Sequence, residues 1–333
     1  MEKARFKWVL RERNRKIAAK TEAFTEQQAR RVRSFHSSFK EYSPTPLIEL
    51  TSLAQHLGIK NLFVKDESYR FGLNAFKVLG GSFAIGSYIA NELGEDIDDL
   101  PYMRLVSDEV RSLLGSKTFI TTTDGNHGRG VAWTANRLKQ QAIVYMPQGS
   151  AAERLANIRA EGAQAEITDM NYDDTVRYTS ELAQKNGWII VQDTAWDGYT
   201  RIPLWIMQGY MTMALEAYEQ LPVKPTHIFL QAGVGSLAGS VQGFFADIYG
   251  SSCPLTFIVE PKGADCLYQT AAANDGSLHS VTGRLETIMA GLACGEPNSI
   301  AWEIIGNLSD GFISCPDYTA AQGMRILGNP LAG

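Results

Sequence analysis

The chain has 333 residues, 44% hydrophobic and 20% charged, enough to bury a sizeable core and to divide into two domains. Residues 1–40 are basic, with twelve Lys or Arg against four Glu, yet the whole chain carries a net charge of −5; the remainder is acidic, which disfavours a nucleic-acid partner. No apolar run approaches the roughly 20 residues needed to cross a bilayer, and the charged opening Met-Glu-Lys-Ala-Arg lacks a secretory apolar stretch.

The expectation is a cytoplasmic protein with no membrane partner. The basic N-terminal segment reads as a solvated helical face, or as an arm that contacts a second copy. In chain order, short β-branched runs alternate with longer helical stretches from about residue 60 onward, which predicts an α/β fold with parallel sheets and helical crossovers. The expected strands are 61–66, 118–122, 142–146, 165–168, 188–192, 227–231 and 255–260. Helical length and composition fall at 128–140, 151–161, 172–185 and 202–220.

Cys253, Cys266, Cys294 and Cys315 show no Cys-x-x-Cys spacing, so neither a zinc ribbon nor a redox pair is indicated. Free thiols are the default, with Cys266 and Cys294 the one candidate bridge. His36, His56, His127, His227 and His279 are scattered without i, i+4 pairing, and no metal site is expected.

Ligands of open parallel sheets lie beyond the carboxyl ends of the strands, and three segments there are chemically unusual. Gly72-Leu-Asn-Ala-Phe-Lys77-Val-Leu-Gly80-Gly places one lysine at a helix start among apolar and small residues. Desolvation lowers a lysine pKa and gives the neutral amine that Schiff-base chemistry needs; the plainer reading is a lysine snorkelling from a surface helix. Thr121-Thr-Thr-Asp-Gly125-Asn-His127-Gly leaves a strand and enters a helix near His127, and its backbone N–H groups can hold a carboxylate. Asn126 can bond a phenolic oxygen, while an ordinary helix cap is the plain alternative, and His127 reads as a packed residue.

In the third segment, Gly233-Val234-Gly235-Ser236-Leu237 follows a buried strand and opens a helix, a phosphate cradle by its N–H groups and dipole. The same letters fit a dinucleotide pattern with Glu260 as the ribose acid. A nicotinamide dehydrogenase is therefore a rival on that segment alone, but it leaves the other two unexplained.

The order Ala75-Phe76-Lys77, then Gly125-Asn126-His127, then Gly233 to Leu237, with Glu260-Pro261 after a later strand, resembles the fold-type II (tryptophan synthase β-like) pyridoxal-phosphate enzymes. Asn74-Ala-Phe-Lys77-Val-Leu-Gly-Gly, Thr122-Thr-Asp124-Gly-Asn-His-Gly and Asp193-Thr-Ala-Trp196 together are similar to the diaminopropionate ammonia-lyase family. The resemblance covers the chain from about residue 40.

It implies pyridoxal 5'-phosphate on Lys77, with Asn126 and Gly233, Val234, Gly235, Ser236 and Leu237 as cofactor ligands. It also implies a substrate loop at Thr122, Thr123, Asp124 and Gly125, a homodimer, a large domain of residues 1–88 and 196–333, and a small inserted domain of residues 89–195. The implied reaction is elimination of ammonia from 2,3-diaminopropionate, giving pyruvate, with Lys77, Asp124 and Asp193 as catalytic residues. Asp124 suits an ammonium leaving group, and it can serve as a base on the face opposite Lys77, which would admit both enantiomers.

A serine or threonine dehydratase is the nearest enzyme alternative, and Asp124 argues against it. Chains of the family continue past Gly333, and their pyridine-nitrogen partner falls in that continuation. The alternative from another class is therefore a silent protein that binds the cofactor or an amino acid.

Overall fold

The computed structural model describes residues 5–12 and 21–329; parts of the basic segment, residues 1–4 and 13–20, lie outside them. The chain runs through β1 (Lys7–Leu10), α1 (Glu26–Ser37), β2 (Leu47–Glu49), α2 (Thr51–Leu57) and β3 (Phe63–Lys65) into α3 (Lys77–Leu93). Two short helices, α4 (Tyr102–Leu105) and α5 (Asp108–Leu114), lead to β4 (Thr118–Thr122), α6 (Asn126–Arg137), β5 (Gln141–Met146), α7 (Ala152–Ala160), β6 (Gln164–Ile167), α8 (Tyr172–Asn186) and β7 (Ile189–Ile190). The last part holds α9 (Arg201–Gln220), β8 (His227–Gln231), α10 (Ser236–Tyr249), β9 (Leu255–Pro261), α11 (Cys266–Ala273), α12 (Ser299–Leu308), β10 (Gly311–Cys315) and α13 (Asp317–Leu327).

The class is α/β, with two four-stranded sheets. One is ordered β6-β5-β4-β7 and is parallel throughout. The other, β1-β10-β9-β8, is parallel except for β1. Strands β4 and β8 coincide with the spans read from sequence, and the other expected strands shift at their ends. Strand β7 is shorter than the run 188–192 because the Gln192 N–H is taken by the Tyr199 hydroxyl at 2.8 Å instead of by a ladder.

Helix α6 starts at Asn126, two residues earlier than expected, and stops before Lys139, whose φ of 55° is left-handed. Strands β1, β2 and β10 escape the periodicity. Strand β1 is a short edge strand, β2 pairs with β3 in a separate two-stranded sheet, and β10 sets Phe312 and Ile313 next to buried Ser314 and Cys315, with no alternation to read.

Helix α3 is the spine of the core. It buries twelve of its residues, Val78 to Ala90 apart from Tyr88, because α9 packs on one side and α6 on another. Both approaches run through glycine. A Cβ on Gly209 of α9 would stand 2.8 Å from Gly80 Cα and collide with Leu79 O, and one on Gly130 of α6 would stand 2.8 Å from Val78 Cα. The helices therefore touch backbone to backbone, and the first turn of α3 has little room to move.

A buried ion cluster fixes the segment that leads into α3. Arg70, fully enclosed, donates to both carboxylate oxygens of Glu216 at 2.7 and 2.8 Å and to both of Glu67 at 2.8 Å. Lys65 reaches Glu216 at 2.8 Å, and the Tyr42 hydroxyl and Thr45 N–H complete its shell. Burial opposes the charge on Glu216, but the arginine and lysine outweigh it and lower its pKa to about 2.

Among the described residues no helix is long and apolar enough to cross a membrane. Gly209→Ala should cost ~1–3 kcal/mol, because the added methyl must push α9 off Leu79 and Gly80. Urea unfolding measures it, and an unchanged midpoint would show that the two helices have slack.

Candidate active site

Three loops at the carboxyl ends of β4, β7 and β8 meet the head of α3. Lys77 is the first residue of that helix. The loop before it turns through left-handed φ at Phe71 (50°), Gly72 (71°) and Asn74 (58°). Arg129, paired with Glu161 at 2.8 Å, holds the Leu73 carbonyl from α6 at 3.3 Å.

The Nζ of Lys77 donates to Oδ2 of Asp193, which follows β7, in a short, part-buried ion pair. This corrects the expectation of a desolvated neutral amine. Burial does disfavour the ammonium, but the fields of Asp193 and Tyr210 and the hydrogen bond to Asp193 outweigh it, so the lysine pKa is raised. Burial likewise raises Asp193, yet Lys77 and His127 lower it to about 2. Sequence alone left Asp193 divided between a charge near the substrate and a structural end to its strand; the structure makes it the partner of Lys77.

Asp193 is itself held by its neighbours. Gln192 accepts from the Thr121 hydroxyl and the Thr122 N–H, each at 3.0 Å, and donates to Tyr172 at 2.8 Å. The Asp193 carbonyl accepts from the hydroxyl of Ser236, the first residue of α10, and from Asn298 Nδ2 at 3.2 Å. Asn298 also donates to Ser236 Oγ at 2.9 Å, bonds Val234 O through its backbone, and caps α12 through Oδ1. It escaped sequence reading; Asn-Ser before an apolar run signals a helix start, but nothing in it names Asp193.

The loop after β4 divides its residues. Thr122 points away from the opening, with its hydroxyl 2.8 Å from that of Thr179 and 3.2 Å from the Thr175 carbonyl, which accepts from it. Thr123 is buried, and its Oγ1 accepts from Gly125 N at 2.9 Å, shaping the turn. Asp124 is part-exposed and pairs with Arg154 at 2.7 Å. Burial raises its pKa; Arg154 and Lys77 oppose this, and the rise remains.

Asn126 opens α6 and is exposed. His127 is packed, as expected, with Nε2 on Val191 O at 2.7 Å.

Gly233 and Gly235 carry the third loop. Gly235 has φ +101°, and a Cβ there would meet Ala301 Cβ at 3.3 Å, while one on Gly233 would meet Cys294 Sγ at 3.2 Å. The first N–H groups of α10 have no intrahelical partner, so the loop is built to receive an anion with the helix dipole behind it. That donor set fits a phosphate. Leu237 follows in the first turn of α10.

Glu260 is not near a ribose-like position: it accepts from Leu267 N at 2.9 Å and Tyr268 N at 2.6 Å, capping α11, while burial pushes its carboxyl well up. Cys266 and Cys294 are free thiols, so the candidate bridge is not formed. A cleft of about 240 Å³ beside the loops is lined by Tyr172, Thr194, Trp196, Val234 and Cys294 among others.

Residues 39–329 match the family described as pyridoxal-phosphate dependent enzyme. The chain is 53% identical over 306 residues to the diaminopropionate ammonia-lyase of Salmonella typhimurium strain LT2, covering 91% of this chain and 76% of the relative. It is also 53% identical over 311 residues to that of Escherichia coli strain K12, covering 92% of this chain and 76% of the relative. The crystal structure of the Escherichia coli diaminopropionate ammonia lyase in complex with D-serine matches with a TM-score of 0.89 at 50% identity, covering 98% of this chain and 81% of that one.

The Lys77–Asp193 pair has a definite acid signature. Asp193 is the group with the lowered pKa, so the stabilisation is complete above about pH 4, the unfolded range for Asp. It is lost as pH falls towards about 2. Asp193→Asn should flatten the pH dependence of the unfolding free energy between those limits; a slope equal to that of the unaltered protein would mean the pair is not formed.

Proposed function

The chain belongs to the pyridoxal-phosphate-dependent enzymes and, within them, to the diaminopropionate ammonia-lyases, and on that premise we propose how its own residues divide the work. It is a pyridoxal 5'-phosphate-dependent carbon–nitrogen lyase that eliminates ammonia from D- and L-2,3-diaminopropionate, yielding pyruvate and ammonia. The observation that carries the reading is the lysine at the head of α3, ion-paired to Asp193 between an anion-receiving glycine loop and a loop bearing a second carboxylate.

Lys77 anchors the cofactor. The N–H groups from Gly233 to Leu237, including those of Val234, Gly235 and Ser236, hold its phosphate, and Asn126 borders its ring. When bound, the cofactor supplies an electron sink for the pair released at the substrate α-carbon.

The loop of Thr122, Thr123, Asp124 and Gly125 receives the substrate carboxylate; Thr122 shapes it from behind, since its hydroxyl is tied to α8 and its N–H to Gln192. Asp124 faces the ammonium group, because a carboxylate suits a cationic leaving group where a hydroxyl suits a neutral one. It also takes the α-proton from one face while Lys77 takes it from the other. The upward push that burial gives Asp124 moves it towards the range a general base needs.

Asp193 keeps the Lys77 nitrogen charged until it is needed, and adds negative field for a diamino substrate. The same reading assigns residues 1–88 and 196–333 to a large cofactor-binding domain and 89–195 to a small inserted one. It makes the protein a cytoplasmic homodimer.

The test is an absorption spectrum before and after adding DL-diaminopropionate, with ammonia and pyruvate measured. A spectral change with both products supports the reading, and cofactor binding without turnover would make the chain a silent binding protein. Lys77→Ala should abolish the visible absorbance of the loaded protein; a variant that keeps it unchanged removes the anchoring role. Asp124→Asn should lose turnover of the D-isomer and retain much of that of the L-isomer, and equal retention of both would defeat the division of faces.

A further inference from the structure

The Lys77–Asp193 pair acts on a buried phenol that is itself unpaired. Tyr210 of α9 is 0% exposed, and its hydroxyl has no hydrogen-bond partner among the described residues. A phenol so enclosed ordinarily finds one.

The ring is pinned on two sides. A Cβ at Gly80 would stand 2.7 Å from its Cε1 and 2.9 Å from its Cζ, and Phe76 meets it edge-on with centroids 5.1 Å apart at 74°. The glycine contact at Cζ brings the hydroxyl-bearing end of the ring against the first turn of α3. Lys77 lies between those two contacts: it follows Phe76 directly, shares a helix face with Gly80 one turn on, and its Nζ stands 5.9 Å from the centroid of the same Phe76 ring. The electrostatics agree, since the charges of Lys77 and Asp193 both act on the phenol.

We propose that the phenolic oxygen of Tyr210 is a second seat for the Lys77 amine, accepting its N–H when the lysine swings off Asp193, which makes Tyr210 a positioning residue. The proposal rests on Lys77 being the anchoring lysine. A nitrogen that must meet a carbonyl carbon, and later be free to receive a proton, has to leave the Asp193 carboxylate in each turnover. Without a second acceptor on its buried side it would leave Asp193 with N–H groups unpaired there.

Tyr210 offers that acceptor through an oxygen lone pair, so no proton leaves the phenol. Because the oxygen favours the ammonium over the amine, its removal makes Lys77 easier to deprotonate.

Tyr210→Phe keeps the ring and removes only the oxygen. The measurement is the rate at which the full-length apoprotein captures added pyridoxal 5'-phosphate, followed by visible absorbance across pH. The profile of the variant should move to lower pH, with capture at pH 7 about tenfold faster for a shift of one pKa unit. Superimposable profiles overturn the proposal.

Phe83→Leu, on α3 but packed against Phe35 and His36, serves as a packing control: it should lower the thermal midpoint and leave the profile in place, and an equal shift from it would also overturn the proposal. If Tyr210→Phe does not fold, 3-fluorotyrosine at position 210 keeps the shape and weakens the oxygen as an acceptor. It should shift the profile in the same direction by less, and no shift is again fatal. Borohydride reduction of the loaded protein and mapping of the labelled lysine separate the two levels: label on a residue other than Lys77 removes the anchoring reading and this proposal with it, whereas label on Lys77 with an unmoved profile removes this proposal alone.

Discussion

The site depends on one steric constraint, the backbone contact of α3 with α9 and α6. Gly209 and Gly130 remove the Cβ atoms that would hold the three helices apart, and the first residue of α3 is Lys77. A lysine is a long and mobile side chain, so the precision of its nitrogen has to come from the fixity of its Cα and from what waits at its far end. Close packing supplies the first, since interiors at this density do not yield smoothly. The second is Asp193, placed by the short strand β7 and the Gln192 bonds beside it.

Charge enters this interior in two compensated groups, and they differ in kind. Arg70, Glu67, Glu216 and Lys65 form a closed cluster in which every ion has a partner. Such a cluster adds little net stability over apolar packing but is costly to break, which gives one arrangement of the chain preference over others. It ties residues 42–45 and 65–70 to α9 and so fixes the approach to α3.

The pair of Lys77 and Asp193 is open by comparison: the lysine side chain is 23% exposed and the aspartate 6%. A second carboxylate, Asp124, and a phenol, Tyr210, weigh on the same ions. A group that must exchange partners during a reaction is better served by such a surround than by a saturated one.

Much of this was legible from sequence because it is local. A lysine at a helix start, a Gly-Asn-His turn after a strand and a glycine loop before a helix are each written within a dozen residues, and the spans read from periodicity and composition fell close to the observed β4, β8, α8 and α9. What was not legible is what joins them. Lys77 and Asp193 are 116 residues apart, and nothing near either one announces the other. For that reason the apolar surroundings of Lys77 suggested a neutral amine, the reverse of the charged state its partner enforces.

Arg154 and Asn298 were missed for the same cause. One turns Asp124 from a lone carboxylate into half of an ion pair, and the other looks like an ordinary cap until its Nδ2 is followed. Glu260 shows why the rival reading fails, since its place at a strand end fitted a ribose acid, while its side chain spends both oxygens on the start of α11.

Asn298 also shows how the cofactor-facing parts are made into one unit. Its Oδ1 secures α12, its backbone N–H reaches Val234 in the glycine loop, and its Nδ2 spans Ser236 and the carbonyl of Asp193. The anion-receiving loop and the carboxylate that holds the lysine are thereby two ends of one hydrogen-bonded junction, buried on all sides. An anion that settles on the N–H groups of Gly235 and Ser236 presses on the same residue whose hydroxyl supports Asp193. The phosphate end of a ligand and the nitrogen that must meet its other end are thus registered against each other by a buried amide, which is how a site assembled from three distant loops keeps a single geometry.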